Sequence, residues 1–263
     1  MALSISYVTS NDGTRIGYER SGSGPPLVLV HGTSADHTRW SSILPALNEH
    51  FTVYAVDRRG RGLSGDADAY SLEREFEDIT AVVDSIGGAV YLLGHSFGAL
   101  CAMEAALRSE HVRRLVLYEP YFRTGVPLYQ GNPRGRLEAM LERGDREGAL
   151  ITFFREVVGL SEPELELMRS APAWAGRLAA AHTVPREFAD EEYVLDARRF
   201  ETLSIPVLLL AGSDSPPALR AATDAAHSAM RTSRVAVMQG QAHVAINTAP
   251  ELFAQLVVEF LMG

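Results

Sequence analysis

Short apolar runs alternate along the chain with longer stretches in which apolar residues recur every three or four positions. The short runs, such as LVLV at 27–30 and VYLL at 90–93, are typical of strands buried on both faces of a sheet. The longer stretches are typical of amphipathic helices that cover such a sheet. Eight strands are predicted, at 5–9, 15–19, 26–31, 51–57, 90–94, 114–118, 206–211 and 234–238. The alternation therefore predicts an α/β fold with a mostly parallel eight-stranded sheet and helices on both faces.

The first two predicted strands differ from the rest because they flank the turn signal Asn11-Asp12-Gly13, which favours an antiparallel hairpin. Helices are predicted at 72–86, 97–109, 217–230 and 249–261. Residues 121–204 interrupt the alternation, since they contain several helical patterns and no strand pattern. We expect this segment to form a helical lid inserted after the sixth strand. The chain then divides into a core domain of residues 1–120 and 205–263 and a lid subdomain of residues 121–204.

Composition narrows the classes of function. The chain has 263 residues, 46% of them hydrophobic, and a formal net charge of −9, which disfavours a nucleic-acid partner because such a surface needs clustered positive charge. All 24 basic residues are arginine. The absence of lysine excludes Schiff-base chemistry and a P-loop, since both need the amine. With Cys101 as the single cysteine, a disulfide framework and a cysteine zinc cluster are also excluded.

Membrane and targeting signals are weak. The longest uncharged stretch, residues 85–103, contains four glycines, and its pattern predicts a strand, a turn and a helix rather than a membrane span. The first twenty residues lack a basic start followed by a long apolar run. We therefore expect a cytoplasmic protein without a membrane partner.

The strongest chemical signal is Gly94-His95-Ser96-Phe97-Gly98, which matches G-x-S-x-G. The motif directly follows a predicted strand and opens a predicted helix, which is the setting that a nucleophilic serine on a tight turn requires. Ser96 is the candidate nucleophile. The backbone N–H of Phe97 lies at the helix N-terminus, where it can stabilise an oxyanion.

A serine nucleophile needs a base, which an acid orients. Among eight histidines, His243 is the candidate base because it follows the last predicted strand and precedes the last helix. That position lies at the carboxyl edge of the sheet, where α/β sites gather. Asp214, which follows the strand PVLLLAG, is the preferred acid. Glu119, at the end of RRLVLYEP, is the alternative.

These residues, in the order Ser96, Asp214, His243, resemble the catalytic set of the α/β-hydrolase superfamily, whose pattern covers nearly the whole chain apart from the lid. His31-Gly32-Thr33 resembles the oxyanion loop of that family, which implies that the Thr33 N–H joins that of Phe97. Residues 57–64, DRRGRGLS, resemble its turn after the fourth strand. One departure concerns the acid, because many members place it three residues after a glycine and Asp214 stands two after Gly212. Some relatives carry the acid after the sixth strand, so Glu119 remains a candidate for the acid.

No cofactor or metal is predicted. The segment 60–65 fits the dinucleotide fingerprint G-x-G-x-x-G, but DADAY and not a helix follows it, so a pyrophosphate would lack its helix N-terminus. His31 and His37 form no metal spacing with a nearby acidic cluster. We expect a solvated lid surface at the acidic residues Glu187, Asp190, Glu191 and Glu192.

These observations predict a serine hydrolase that cleaves a carboxylic ester or lactone through an acyl-enzyme on Ser96. Its partner would be a small-molecule acyl substrate, bound against aromatic lid residues, for which Trp174, Phe153 and Tyr121 are the candidates. The alternatives keep the fold and change the reaction to thioester or C–C bond hydrolysis or a lyase step. A further alternative is a ligand-binding receptor with slow turnover.

Overall fold

The computed structural model describes residues 3–189 and 193–263. Its strands form one eight-stranded sheet in the order β1-β2-β4-β3-β5-β6-β7-β8. The strands are β1 Ser4–Thr9, β2 Arg15–Gly22, β3 Pro26–Val30, β4 Thr52–Val56, β5 Val90–His95, β6 Val112–Tyr118, β7 Val207–Gly212 and β8 Ser233–Met238. All eight predicted strands are therefore confirmed, with small differences at their ends.

The sheet is mostly parallel. β2 pairs antiparallel with both β1 and β4, and every pairing from β4 through β3 to β8 is parallel. The hairpin between β1 and β2 turns at Gly13, whose positive φ of 87° suits glycine. The predicted antiparallel start of a parallel sheet is confirmed.

Helices cover both faces of the sheet. The long helices outside the segment between β6 and β7 are α2 Leu72–Ile86, α3 Phe97–Arg108, α10 Pro217–Ala229 and α12 Pro250–Met262, with the short α1 Leu44–Asn48 and α11 Ala245–Thr248. One core packs side chains of α2, α3 and α10 against the sheet. A second core, on the opposite face, packs side chains of α1, α11 and α12.

Local chemistry sets the bounds of α2 where the sequence predicts them. The Ser71 hydroxyl accepts the Arg74 N–H at the start of the helix, and Gly87 ends it with a positive φ of 68°. Both signals are short-range, which is why this helix is predictable from sequence alone.

Between β6 and β7 the described chain is helical and contains no strand. We call residues 121–204 the helical insertion. Its helices are α4 Pro133–Glu142, α5 Arg146–Thr152, α6 Glu162–Ser170, α7 Trp174–Ala180, α8 Arg186–Ala189 and α9 Ala197–Phe200, with a π-helical turn at Phe153–Val158. The helical path is interrupted between α7 and α8, where Pro185 removes a backbone donor. The insertion has its own apolar core, and its status as a separate subdomain stays a prediction.

In the part of the chain that the structure describes, no helix combines the length and apolarity that a bilayer crossing needs. The uncharged stretch at 85–103 is divided among the end of α2, strand β5 and the start of α3.

Candidate active site

Ser96 stands on a sharp turn between β5 and α3. Its backbone has φ 57° and ψ −124°, a region that residues other than glycine rarely adopt. The Ser96 N–H donates to the Tyr118 carbonyl at 2.9 Å, which ties the turn to the end of β6. Within the described chain the Ser96 hydroxyl makes no hydrogen bond, and the residue is partly exposed between buried neighbours. The predicted strand–turn–helix setting is thus present, and the hydroxyl is available to a ligand.

The two motif glycines allow the backbone to pack this closely. A Cβ on Gly98 would lie 2.3 Å from the carbonyl oxygens of Val30 and His31. A Cβ on Gly94 would lie 2.4 Å from the Gly98 carbonyl oxygen. Any side chain at either position would push α3 away from the sheet. Steric contacts therefore explain why both positions are glycine.

His243 lies on the loop between β8 and α11, as expected, and its partner is Glu119. Glu119 Oε2 lies 2.7 Å from His243 Nδ1, and both side chains are buried. The other carboxylate oxygen accepts the Gly212 N–H at 2.7 Å and the Ser215 hydroxyl. The carboxylate is therefore held on several sides, and Nε2 is the ring nitrogen left for Ser96, which lines the same cavities as His243.

Asp214, the preferred acid, does not contact His243 among the described residues. Its side chain is exposed, and its carboxylate accepts the Ser213 hydroxyl at 2.7 Å. The backbone explains this outward position, because the Asp214 N–H donates to the Gln241 carbonyl while Gly212, two residues earlier, faces Glu119. The expectation for Asp214 is corrected by this geometry, which places the alternative residue Glu119 on the imidazole.

Thr33 and Phe97 lie beside Ser96 on the cavity wall. Across the described residues, neither backbone N–H donates to another protein group, so both are available to a ligand oxygen. The Phe97 ring also lies under the guanidinium of Arg58, 4.4 Å from its centroid. A cation held next to the start of α3 adds to the positive field there.

A buried ion network joins Thr33 to the helical insertion. The Thr33 hydroxyl donates to Glu187 Oε2, and Glu187 Oε1 accepts from Arg58 at 2.8 Å and from Arg61. Arg58 also forms a two-pronged contact with Glu75 of α2, at 2.7 and 3.0 Å. Neighbouring guanidiniums hold the pKa of Glu75 at about 2 although burial alone would raise it.

Glu187 corrects the expectation of a solvated acidic surface, because it is only 7% exposed. The other three acidic residues of that group, at 190–192, lie outside the described residues. Sequence reasoning missed Glu187 because its partners stand more than a hundred positions earlier in the chain.

Two cavities flank Ser96 and His243. The first is mostly apolar, and Tyr121, Phe153 and Phe97 contribute to it. Tyr121 and Phe153 line the cavity beside Ser96, and their contact with a substrate stays a prediction. Trp174 is not: it lines neither of these cavities and packs against Phe154 in the core of the insertion, with ring centroids 6.2 Å apart. A position at a helix start does not decide which way a side chain points, and here the indole packs into the apolar core of the helical insertion.

The second cavity contains two buried arginines that the sequence analysis did not single out. Arg39 and Arg177 line it together with Gly32, Ser96 and His243. Nothing in the local sequence marks either residue, since they come from a short 3₁₀ turn at His37–Trp40 and from α7. Their presence gives one side of the site a positive charge.

The structure also brings together Asp36, His37 and Asp57, whose possible ligand atoms lie within 4.8 Å of one another. The sequence analysis expected no acidic cluster near His37, and this expectation is wrong. The Asp57 carboxylate accepts from the His37 backbone and ring at 2.6 and 2.8 Å and from the Leu63 N–H at 2.7 Å. These bonds hold the turn after β4, so turn structure accounts for the cluster, and the absence of a metal stays a prediction.

Among solved structures, an α/β hydrolase from Sphaerobacter thermophilus superposes with a TM-score of 0.84 at 36% identity, covering 97% of this chain and all of that one. An esterase from Rhodococcus sp. superposes with a TM-score of 0.79 at 26% identity over 99% of both chains. The predicted α/β-hydrolase fold is confirmed by these two matches.

Sequence comparison agrees. A hydrolase of Acinetobacter baylyi, named for (E)-2-((N-methylformamido)methylene)succinate, is 28% identical over 255 residues, which is 93% of each chain. The family described as "Alpha/beta hydrolase family" matches residues 27–256. The chain therefore belongs to the α/β hydrolase family.

Proposed function

We propose that the protein is a serine hydrolase that cleaves a carboxylic ester or lactone through an acyl-enzyme on Ser96. The observation that carries the proposal is the contact between Glu119 and His243. The imidazole of His243 lines two cavities together with Ser96. A carboxylate on Nδ1 fixes the imidazole tautomer that leaves Nε2 free to accept a proton. In this proposal Glu119 takes the role that the sequence analysis gave to Asp214.

The reaction needs only groups of this chain and water. Ser96 Oγ bonds to the substrate carbonyl carbon while its proton moves to His243 Nε2, and the Thr33 and Phe97 N–H groups stabilise the oxyanion. The C–O bond to the leaving alcohol then breaks, and the alcohol takes the proton from His243. Water attacks the acyl-enzyme in the same way, releases the acid and restores Ser96.

The helical insertion is proposed to act as a lid over this chemistry. Its residues Tyr121 and Phe153 form part of the apolar cavity, and Glu187 connects it to the Thr33 loop. An apolar wall next to the reacting carbonyl excludes water, which strengthens the oxyanion contacts. The Acinetobacter relative is named for a formamido-substituted succinate, so acyl substrates with a nitrogen leaving group belong in the substrate screen.

A fluorophosphonate probe and a panel of esters, lactones, thioesters and N-acyl compounds test the proposal. We expect wild type to take up one phosphonyl group and to release both alcohol and acid, and Ser96→Ala to take up none. Loss of the nucleophile should lower kcat by about 10⁴- to 10⁶-fold while the unfolding temperature stays unchanged. Equal turnover by wild type and Ser96→Ala would contradict covalent serine catalysis.

The receptor alternative predicts different kinetics from the same preparation. A hydrolase gives steady turnover after the first acylation, because water attacks the acyl-enzyme at a useful rate. A slow-turnover receptor gives one equivalent of released alcohol and then almost none. Stopped-flow measurement with the best ester of the panel separates the two outcomes.

A further inference from the structure

Arg39 and Arg177 come from different elements of the fold and line the second cavity together. Arg39 belongs to the 3₁₀ turn that follows β3 in the chain, and Arg177 belongs to α7 of the helical insertion. They are 4% and 6% exposed, so almost all of each side chain is buried. Ser96 and His243 line the same cavity. Any molecule that reaches from Ser96 into this cavity therefore meets two guanidinium groups.

Neither guanidinium has a carboxylate partner among the residues that the structure describes. Arg39 donates to the Asn247 amide oxygen. Arg177 donates to the Ser34 hydroxyl at 3.2 Å and lies 5.4 Å from the Phe154 ring centroid. All of these partners are neutral.

Other buried arginines of this chain have carboxylate partners. Within the described residues, Arg58, Arg59 and Arg61 are each fully or almost fully buried and each contacts at least one carboxylate. Buried cations in proteins are normally paired, because an unpaired one loses its hydration without compensation. The pair formed by Arg39 and Arg177 is therefore an exception within its own molecule.

The electrostatics of the cavity favour an anion. Burial lowers the pKa of Arg39 to about 10, and burial together with the charge on Arg39 lowers the pKa of Arg177 to about 9. Both values lie above neutral pH, so both groups are cations there. Asp36 acts favourably on Arg177 from a distance, but its Oδ1 already accepts from Thr38, and it offsets one of the two charges at most.

His95, which also lines this cavity, adds no charge. Burial and the neighbouring His243 hold its pKa well below the usual value for histidine, and its Nε2 donates to the His243 carbonyl at 3.1 Å. The positive charge of the cavity comes from the two arginines. Guanidinium groups match the planar geometry of a carboxylate, with two parallel N–H bonds to its oxygens.

We propose that Arg39 and Arg177 together bind a carboxylate carried by the substrate, so that the enzyme acts on acyl compounds with one free carboxylate near the bond that is cleaved. This inference rests on the proposed function, because it assigns the substrate of the same site. The uncharged part of the substrate would occupy the apolar cavity beside Tyr121 and Phe153. Since one arginine comes from the core and the other from the insertion, the carboxylate would also bridge these two parts.

Two pairs of esters of matched shape test the inference on the wild-type enzyme. Monoethyl succinate carries its carboxylate on the acyl side, and ethyl 4-methylpentanoate replaces that carboxylate by an isopropyl group of the same shape. For the alcohol side, 3-acetoxypropanoate is compared with 3-methylbutyl acetate. We expect kcat/KM to be about 10- to 100-fold higher for the charged member of at least one pair, the usual effect of hydrogen bonds to a charged group. A preference for the neutral member in both pairs would overturn the inference.

Variants then test whether these arginines cause the preference for the charged esters. Arg39→Met and Arg177→Met should each reduce the charged-to-neutral ratio of kcat/KM by about tenfold or more, mainly through KM. Arg231→Met, which removes an exposed arginine far from any role assigned above, is the matched control and should leave the ratio unchanged. If both cavity variants lowered kcat/KM equally for charged and neutral esters, the arginines would be structural and the inference would be wrong.

A binding measurement separates this inference from the proposed function. Succinate should raise the unfolding temperature of Ser96→Ala, which cannot turn over, and should do so less in the same variant with Arg177→Met. Equal shifts in the two proteins, or none in either, would overturn the carboxylate site. Failure of fluorophosphonate labelling at Ser96 would instead contradict the proposed function and leave the binding result standing.

Discussion

Glu119 Oε2 and His243 Nδ1 are 2.7 Å apart although 124 positions separate the two residues in the chain. Tyr118, the neighbour of Glu119, holds the same loop from another side, since its hydroxyl accepts the Ala245 N–H at 2.9 Å and donates to the Ala242 carbonyl. Two consecutive residues at the end of β6 thus fix the loop that carries the imidazole. The imidazole of His243 is therefore held by a carboxylate at the end of β6, and not by the Asp214 carboxylate that follows β7.

Replacement of the two candidate acids should give opposite results. Glu119→Gln puts an amide against Nδ1, which favours the wrong imidazole tautomer, and kcat should fall by about 10⁴-fold as in other triads. Asp214→Asn, the matched control on an exposed side chain, should leave kcat close to the wild-type value. Steady-state kinetics on one ester, with circular dichroism to check folding, measure both. A larger loss for Asp214→Asn would return the acid to β7.

Substitution of two aromatic residues of the insertion should have different effects, one on substrate selection and the other on the free energy of unfolding. Phe153→Ala enlarges both cavities beside Ser96 and should change the kcat/KM ratio between short and long esters by about tenfold. Trp174→Ala removes packing against Phe154 and should lower the free energy of unfolding by about 3–5 kcal/mol with the ester ratio unchanged. Ester profiles and denaturant titration of both variants check this. An altered ester ratio in Trp174→Ala would mean that the indole reaches the substrate after all.

Glu75 should contribute far more to stability than its neighbour Glu77. Glu75→Gln leaves Arg58 and Arg61 underpaired in a fully buried network, and we expect a loss of about 3–5 kcal/mol. Glu77→Gln on the same helix removes a partly exposed contact with Arg74, which is typically worth about 0–1 kcal/mol. Urea denaturation of the two variants beside wild type provides the comparison. Similar losses would show that the buried network is not held by Glu75.

The contribution of His37 to stability should depend on pH. Its hydrogen bond to Asp57, together with the charges of Asp36, Asp57 and Glu19, raises the pKa of His37 above the usual value of 6.5. A group whose pKa is raised by folding stabilises the protein fully below its unfolded pKa, and this stability is lost as pH rises through the folded pKa.

His37→Gln should therefore lower the unfolding temperature more at about pH 5.5 than at about pH 8.5. Differential scanning calorimetry of wild type and variant at both values gives the four temperatures required. His227→Gln, at an exposed position on α10, serves as the control, and its effect should be small at both pH values. An equal difference for His37→Gln at both pH values would contradict a protonated His37 in the folded state.

Much of the fold could be predicted because its signals are local. Apolar runs mark the strands, and Ser71 and Gly87 mark the two ends of α2. The proposed nucleophile and base could be predicted for the same reason, since Ser96 lies in a contiguous motif and His243 follows a strand.

The choice between the two candidate acids could not be made from local sequence. Asp214 and Glu119 both follow strands, and only the packing of β6 between β5 and β7 decides which carboxylate faces the imidazole. The spacing from Gly212 was the one available sign: Gly212 donates its N–H to Glu119, and the chain then turns Asp214 outward. The sequence could not single out Arg39 and Arg177. What distinguishes them is that they have no carboxylate partner among the described residues, and only three-dimensional contacts show this.

The position of Glu187 has a consequence for recombination of this protein with its relatives. One carboxylate of the helical insertion binds Arg58 and Arg61 of the core and the hydroxyl of Thr33. A chimaera that received its insertion from a relative without an acid at this place would leave two buried cations sharing Glu75 and would release the Thr33 loop. Exchange of insertions would therefore change the surroundings of Arg58 and Arg61 even with every core residue retained.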